Sequence, residues 1–290
     1  MNKPVVTQAV IDLYDEYTHR PLQRRDFIKR LATLVGGSAA AYAVIPLLEN
    51  NYAQAAVVPE NDKRLSASLI EFSGPKGVLK AYLAKPVGTK QKLGSVLVIH
   101  ENRGLNAHIQ DIARRVALAG YNALALDFLS PLGGTPANED AARALFANLD
   151  QALSIANGQA ALGYLKKLSN SNGKLGCIGF CWGGAMANQL AVHTATLNAA
   201  VSYYGMAPDL ALVKQIKAHM LLQYAGLDER INATREPYEQ ALRADHIPFE
   251  SYVYPDVQHA FNNDTNEARY NQPAADLAWQ RSLALFKKTL

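Results

Sequence analysis

From residue 65 to the C-terminus, short apolar runs alternate with stretches of helical periodicity. The first two runs, 65–72 and 78–85, are joined by Ser73-Gly74-Pro75-Lys76-Gly77, which predicts an antiparallel hairpin. Further strands are predicted over 95–100, 122–128, 175–180, 199–204, 219–225 and 250–254. Helices are predicted between and after them, over 108–119, 139–149, 151–167, 183–193, 234–245 and 274–288. Gly120 closes the first of these helices. Regular strand–helix alternation implies βαβ units and a mostly parallel, doubly wound sheet covered on both faces. Ligands of such sheets bind at the carboxyl ends of the strands, so a functional residue should fall just after one.

One strand ends in an unusual way. Gly176-Cys177-Ile178-Gly179-Phe180-Cys181-Trp182-Gly183-Gly184 begins as an apolar strand and finishes in a Gly-x-Cys-x-Gly turn. This is the pattern of a nucleophile elbow, with a thiol in place of the commoner serine. Glycines beside the elbow relieve clashes with the neighbouring strand and helix. The helix that follows would set its N-terminus under the Cys181 sulfur and favour thiolate over thiol.

Three other strand ends carry chemistry. Glu101 follows His100. Asp228 follows the strand 219–225 through Gly226-Leu227, and His259 follows the strand ending at Tyr254 through Pro255-Asp256-Val257-Gln258. The chain order nucleophile, acid, histidine is that of an α/β-hydrolase. A thiol needs a base nearby, and the base needs a carboxylate to fix its tautomer. Asp256 is a rival acid, but it shares the histidine's own loop and is better suited to shaping that turn, so Asp228 is preferred. His193 is expected to be a surface or packing residue. His100 is either polar lining of the site or a strand-end core residue.

The first 55 residues read differently. Gln23-Arg24-Arg25-Asp26-Phe27-Ile28-Lys29 resembles a twin-arginine export motif. A weakly apolar, Ala/Gly-rich segment over 31–48 follows, and then Ala53-Gln54-Ala55, a small-x-small cleavage pattern. The expectation is a cleaved signal peptide over 1–55, one domain over 56–290, the export machinery as partner of the precursor, and a periplasmic or secreted enzyme. An uncleaved membrane anchor is the alternative, although Gly36, Gly37, Ser38 and Pro46 make the segment a poor span.

Composition changes little in this picture. The chain has 290 residues, 49% hydrophobic and 19% charged, with a net charge of +4 and two cysteines. No basic stripe argues for nucleic acid, and the small charge of the mature part argues against electrostatic membrane binding. Two cysteines make neither a disulfide framework nor a spaced zinc site. Cys177 and Cys181, four residues apart on a strand, would have α-carbons roughly 13 Å apart, beyond disulfide reach. Cys177 therefore reads as core and Cys181 as a free thiol, with neither cofactor nor metal expected.

Glu101-Asn102-Arg103-Gly104-Leu105-Asn106, the Cys181 elbow, the Asp228 segment, His259-Ala260-Phe261 and the closing Ala274-Ala275-Asp276-Leu277-Ala278-Trp279-Gln280-Arg281 resemble the dienelactone hydrolase family, carboxymethylenebutenolidase-like. The likeness runs from about residue 65 to the C-terminus and is strongest to an exported branch. The resemblance implies that Cys181 attacks a lactone or ester carbonyl to give a thioester. His259 would shuttle the proton, oriented by Asp228, and Glu101 would contact the resting thiol and help convert it to thiolate. The backbone N–H groups of Asn102 and Trp182 would form the oxyanion hole, which the elbow rule also implies. Members of the family hold a substrate carboxylate with arginines in two loops. Here those loops read Phe128-Leu129-Ser130-Pro131-Leu132-Gly133-Gly134 and Phe261-Asn262-Asn263-Asp264, without arginine. Arg103 is either a replacement anion binder or half of a structural ion pair. Two competing functions are a thiol-based redox-responsive protein and a non-catalytic binding protein on the same scaffold. The first lacks a resolving cysteine, and neither gives Asp228 and His259 a purpose.

Overall fold

The computed structural model describes residues 6–20, 22–52 and 56–290. Among these, eight strands form one sheet: β1 (Leu65–Gly74), β2 (Gly77–Pro86), β3 (Leu93–Ile99), β4 (Asn122–Leu126), β5 (Ser171–Phe180), β6 (Ala199–Tyr203), β7 (His219–Ala225) and β8 (Phe249–Tyr254). Their spatial order is β1-β2-β4-β3-β5-β6-β7-β8. The predicted hairpin β1–β2 is antiparallel, and β2 also pairs antiparallel with β4. The remaining neighbours are parallel, as the alternating pattern requires. This is the α/β-hydrolase fold.

The helices over this part of the chain are α4 (Ala107–Leu118), α5 (Glu139–Phe146), α6 (Gln151–Lys166), α7 (Trp182–His193), the short α8 (Glu229–Asn232), α9 (Arg235–Ala244) and α10 (Gln272–Thr289), numbered after three N-terminal helices. Local chemistry sets their starts. The side chains of Asn106, Asp150 and Asn271 accept hydrogen bonds from Ile109 N, Leu153 N and Ala274 N, caps worth about 1 kcal/mol each. Ala161, Leu162 and Leu165 of α6, Ala187, Leu190 and Ala191 of α7, and Tyr238 and Leu242 of α9 fill one side of the sheet. Ile109, Ile112 and Val116 of α4 and Ala278, Leu285 and Phe286 of α10 fill the other.

The N-terminal helices are α1 (Gln8–His19), α2 (Arg24–Val35) and α3 (Ser38–Leu48). The sequence pattern sets this region apart from the fold, yet within this chain it packs on the domain. Tyr14, Tyr17, Phe27, Leu31, Val44 and Leu48 are buried in a core of their own, with the Tyr17 and Phe27 rings stacked at 4.4 Å. Polar contacts tie the three helices down. Tyr17 Oη donates to Asp140 Oδ1 (2.7 Å) and Arg24 Nη1 to Asp140 Oδ2 (2.6 Å). The Arg143 guanidinium lies 3.9 Å from the centre of the Tyr17 ring. Asn102 Nδ2 donates to Thr18 O (2.8 Å) and Asn266 Nδ2 to Leu48 O (2.5 Å). Among the described residues no single helix is long and apolar enough to cross a membrane. Only α2 and α3 together pass by length and composition, and they are bent by 110° at Gly36–Gly37. The predicted cleavage motif, Ala53-Gln54-Ala55, lies outside the described residues.

Candidate active site

Strand β5 ends at Phe180 and α7 begins at Trp182, leaving Cys181 alone between them at φ 56°, ψ −114°. A non-glycine residue held there is strained, and strain at a strand–helix corner projects the side chain. The two close approaches predicted for the elbow are present. A Cβ on Gly179 would lie 1.9 Å from Gly183 O, and one on Gly183 would lie 2.4 Å from Ile99 O. No side chain fits at either position without moving backbone. Trp182 is the first residue of α7, so its N–H has no acceptor within the helix. Asn102, Cys181, Trp182 and His259 line a common cavity of about 760 Å³.

His259 Nδ1 lies 2.5 Å from Asp228 Oδ2, joining the ends of β7 and β8. Asp228 also caps α8, accepting from Ile231 N through Oδ1 (3.2 Å). Capping fixes the carboxylate's orientation and leaves the second oxygen for the imidazole. Asp256 is exposed and sits at φ 57°, a turn residue away from the histidine's bonds. His259 Nε2 is buried without a hydrogen-bond partner, although it lies within 4.8 Å of the Cys181 sulfur.

That sulfur instead meets a residue the sequence did not single out. His19, at the end of α1, places Nε2 3.2 Å from Cys181 Sγ. The His19 Nδ1 atom is 3.1 Å from Asp15 Oδ1, one helical turn earlier. Nothing in the periodicity of α1 distinguishes these two from ordinary helix-surface residues. Only docking of α1 on the strand ends makes them part of the site.

Charge dominates the thiol's chemistry. Burial would raise the Cys181 pKa, but the neighbouring His19 and His259 outweigh it and bring the thiol down to about 6. Burial likewise opposes protonation of His259, and the charges of Cys181 and Asp228 overcome it, raising the imidazole to about 10. His19 is raised despite its own burial, first through Cys181 and then through Asp15. The group is thus biased toward a thiolate flanked by imidazolium. Cys177, fully buried, is pushed the other way by desolvation.

Glu101 is buried at the end of β3. Its Oε2 accepts from Asn263 Nδ2 (2.9 Å), and its Oε1 is buried without a hydrogen bond. Glu101 and Cys181 share the wall of a second, much smaller cavity of about 20 Å³. Arg103 is 5% exposed and ion-paired with Glu139 (Nε–Oε2 3.3 Å), and it also lines the small cavity beside Cys181. His100 is core: its Nδ1 lies 2.6 Å from Glu101 O, and its Nε2 accepts from Phe128 N (3.1 Å). That pattern requires a neutral ring, and burial lowers its pKa accordingly. The ring stacks on Trp182 at 5.7 Å and so braces the elbow. His193 is exposed on α7.

Cations reach the main cavity from other elements. Arg20, Arg143 and Arg230 line it, and among the described residues no carboxylate does, although Arg143 Nη2 lies 3.5 Å from Asp140 and Arg230 Nε 3.9 Å from Asp15 just outside it. Arg143 Nε and Arg230 Nε and Nη2 are buried without hydrogen-bond partners. Tyr204, directly after β6 and at φ 39°, lines the same cavity with a buried, unpaired hydroxyl. The strand-end rule that found Cys181 could have found Tyr204; no sequence pattern points to the arginines.

The profile of the Dienelactone hydrolase family matches residues 79–290. A protein from Escherichia coli O157:H7 described as "Putative carboxymethylenebutenolidase" is 33% identical over 247 residues, 80% of this chain and 90% of that one. A "Putative hydrolase fragment YghX" from Escherichia coli strain K12 is 46% identical over 112 residues, 38% of this chain and 96% of that one. Among solved structures, a "Putative Dienelactone Hydrolase" from Klebsiella pneumoniae subsp. pneumoniae MGH 78578 superposes with a TM-score of 0.71 at 29% identity, over 77% of this chain and 98% of that one. The family match begins after α1–α3, so the helices that carry Asp15 and His19 lie outside it.

Proposed function

We propose that this chain, which belongs to the dienelactone hydrolase family, cleaves lactones or carboxylic esters through a Cys181–His259–Asp228 triad. Its family and its relatives make it a lactone or ester hydrolase; the residues, the intermediate and the destination are the proposal. The observation that carries it is the strained Cys181 at the N-terminus of α7, within 4.8 Å of an imidazole whose far nitrogen is 2.5 Å from Asp228.

In this mechanism the Cys181 thiolate attacks the carbonyl carbon. The oxyanion is held by the N–H groups of Trp182 and Asn102. Collapse expels the alkoxide, which takes a proton from His259 and leaves a thioester. His259 then removes a proton from water, the resulting hydroxide attacks the thioester, and the acid and free thiolate are released. Asp228 keeps the His259 tautomer with its free nitrogen toward sulfur. Glu101 lines the small cavity beside Cys181 with its Oε1 unpaired, placed to accept the proton of any Cys181 still in the thiol form when substrate enters.

The three arginines and the absence, among the described residues, of any lining carboxylate favour an ester or lactone that carries an anionic group. The test is a substrate panel of neutral and carboxylate-bearing esters and lactones on the purified protein. Cleavage with a trapped acyl mass on Cys181, absent in Cys181→Ala, is expected. An unacylated Cys181 or an active alanine variant overturns the triad.

Export through the twin-arginine route is part of the same proposal, on the strength of Arg24-Arg25 ahead of an apolar segment. Arg24 is ion-paired with Glu49 and Asp140 when α2 is docked, so the export receptor would have to read the pair before docking or after release. Replacing both arginines by lysine should hold the precursor in the cytoplasm, because the motif is read by a receptor rather than as charge. Normal fractionation of that variant removes the export reading.

A further inference from the structure

The site holds one imidazole more than hydrolysis requires. Cys181 Sγ, His19 Nε2 and His259 Nε2 come from the elbow, from α1 and from the loop after β8, and all lie within 4.8 Å of one another. Each histidine has a carboxylate beside its other nitrogen: His259 Nδ1 is held by Asp228 Oδ2 at 2.5 Å, while His19 Nδ1 lies 3.0 Å from the Asp15 carbonyl oxygen, with the Asp15 carboxylate 3.1 Å away as an ion-pair partner. Carboxylate–histidine pairing of this kind orients imidazoles on a metal and raises their basicity as ligands. A thiolate with two imidazoles suits zinc-class divalent cations. With Nδ1 held by Asp228, the nitrogen His259 offers to the group is Nε2, which is buried and makes no hydrogen bond of good geometry.

We propose that Cys181, His19 and His259 form a binding site for a thiophilic divalent cation of the zinc class, assembled only when α1 is docked. Ligands about 2.3 Å (sulfur) and 2.0–2.1 Å (nitrogen) from a tetrahedral ion lie roughly 3.3–3.6 Å apart. The 3.2 Å separation of His19 Nε2 and Cys181 Sγ is close to that range, and side-chain rotation of about an ångström brings in His259. The fourth position faces the main cavity and takes a water. Binding displaces the protons that the thiol and imidazoles share, so uptake releases acid. The sulfur lone pair and the His259 Nε2 lone pair are then both donated to the ion. A loaded protein therefore has neither a free nucleophile nor a free base. The cation holds the site closed, and hydrolysis belongs to the metal-free state.

Hydrolysis is not needed to test this, because the readout is the metal's own spectrum. The full-length chain, stripped with a chelator, is titrated with Co²⁺. One equivalent should bind, with a thiolate-to-cobalt charge-transfer absorption and the intense visible bands of a tetrahedral ion. Cys181→Ser should lose the charge-transfer band. His19→Ala should weaken binding at least tenfold, and Asp15→Asn by about tenfold, the effect typical of losing the carboxylate that orients a histidine ligand. His19→Gln replaces the alanine variant if circular dichroism shows the latter unfolded. A folded full-length chain without the charge-transfer band overturns the site, and so does a folded His19 variant with unchanged affinity and spectrum. A protein that binds cobalt as expected yet cleaves no ester refutes the hydrolytic reading and leaves this one standing.

Discussion

Two Asp–His pairs converge on one sulfur, and they differ in how they are built. Asp228 and His259 sit at the ends of β7 and β8, 31 residues apart, on loops anchored by the central sheet. Asp15 and His19 sit one turn apart on a single helix outside the family domain. The first pair is placed by the cooperative stability of the whole sheet. The second is placed by the docking of α1, through Tyr17, Thr18 and their partners Asp140, Arg143 and Asn102. In this structure the helix-borne imidazole is the one at 3.2 Å from the sulfur, while the sheet-borne imidazole is bonded to Asp228 and its Nε2 makes no hydrogen bond of good geometry. An imidazole near a nucleophile is thus insufficient to define a catalytic base. What separates the pairs is whether the group stays in place while substrate enters.

The largest expected effect tests which imidazole is the base. His259→Ala should lower kcat by about 10⁶-fold with His19 still present, by analogy with loss of a triad histidine. Substantial residual turnover would assign the base to His19 and reverse the comparison. Asp228→Asn should come next, with kcat down roughly 10⁴-fold and folding retained, because the wrong tautomer is favoured. Near-normal kcat in that variant would remove Asp228 from the triad.

A smaller effect reads the two pairs' share of the thiol's charge. Cys181 is held at about 6, so alkylation by iodoacetamide should titrate near that pH and outpace alkylation of Cys177. Removing a cationic neighbour disfavours the thiolate, so His19→Ala should move the midpoint upward. Below the midpoint the thiolate fraction falls about tenfold for every pH unit by which the midpoint rises, and alkylation slows in proportion. An unmoved midpoint would mean that His259 alone sets the thiolate. Smallest of all, Asp256→Asn should change stability by about 0.5 kcal/mol or less, since the residue is exposed and asparagine tolerates its left-handed φ of 57°. Thermal melts check this. A loss of kcat there would make Asp256 the acid partner instead.

Much of the molecule was legible in the chain. Strand–helix alternation fixed the layers, and short-range chemistry fixed element ends to within a few residues, as Asn106, Asp150 and the Gly74–Gly77 turn illustrate. The elbow was legible because its glycines answer to local close approach, a demand that a pentapeptide can express. His259 and Asp228 were legible because strand ends in a parallel sheet share one edge whatever their separation in sequence. The choice between two aspartates and the two readings each of His100 and Arg103 were not decided there. Each turns on which neighbour a side chain meets across the fold. Asp228 meets His259, Arg103 meets Glu139, and His100 meets Glu101 O and Phe128 N.

The sequence by itself determined the sheet, the order of the strand ends that carry Cys181, Asp228 and His259, and the thiol, because periodicity, turn residues and the elbow are local properties. Only the tertiary structure decided what surrounds that thiol. Three arginines from separate elements supply the cavity's cations. A segment with the composition of a leader sets a second histidine 3.2 Å from the sulfur. Composition records how apolar such a segment is. Which surface it covers depends on complementary partners more than a hundred residues away, and no window along the chain contains both.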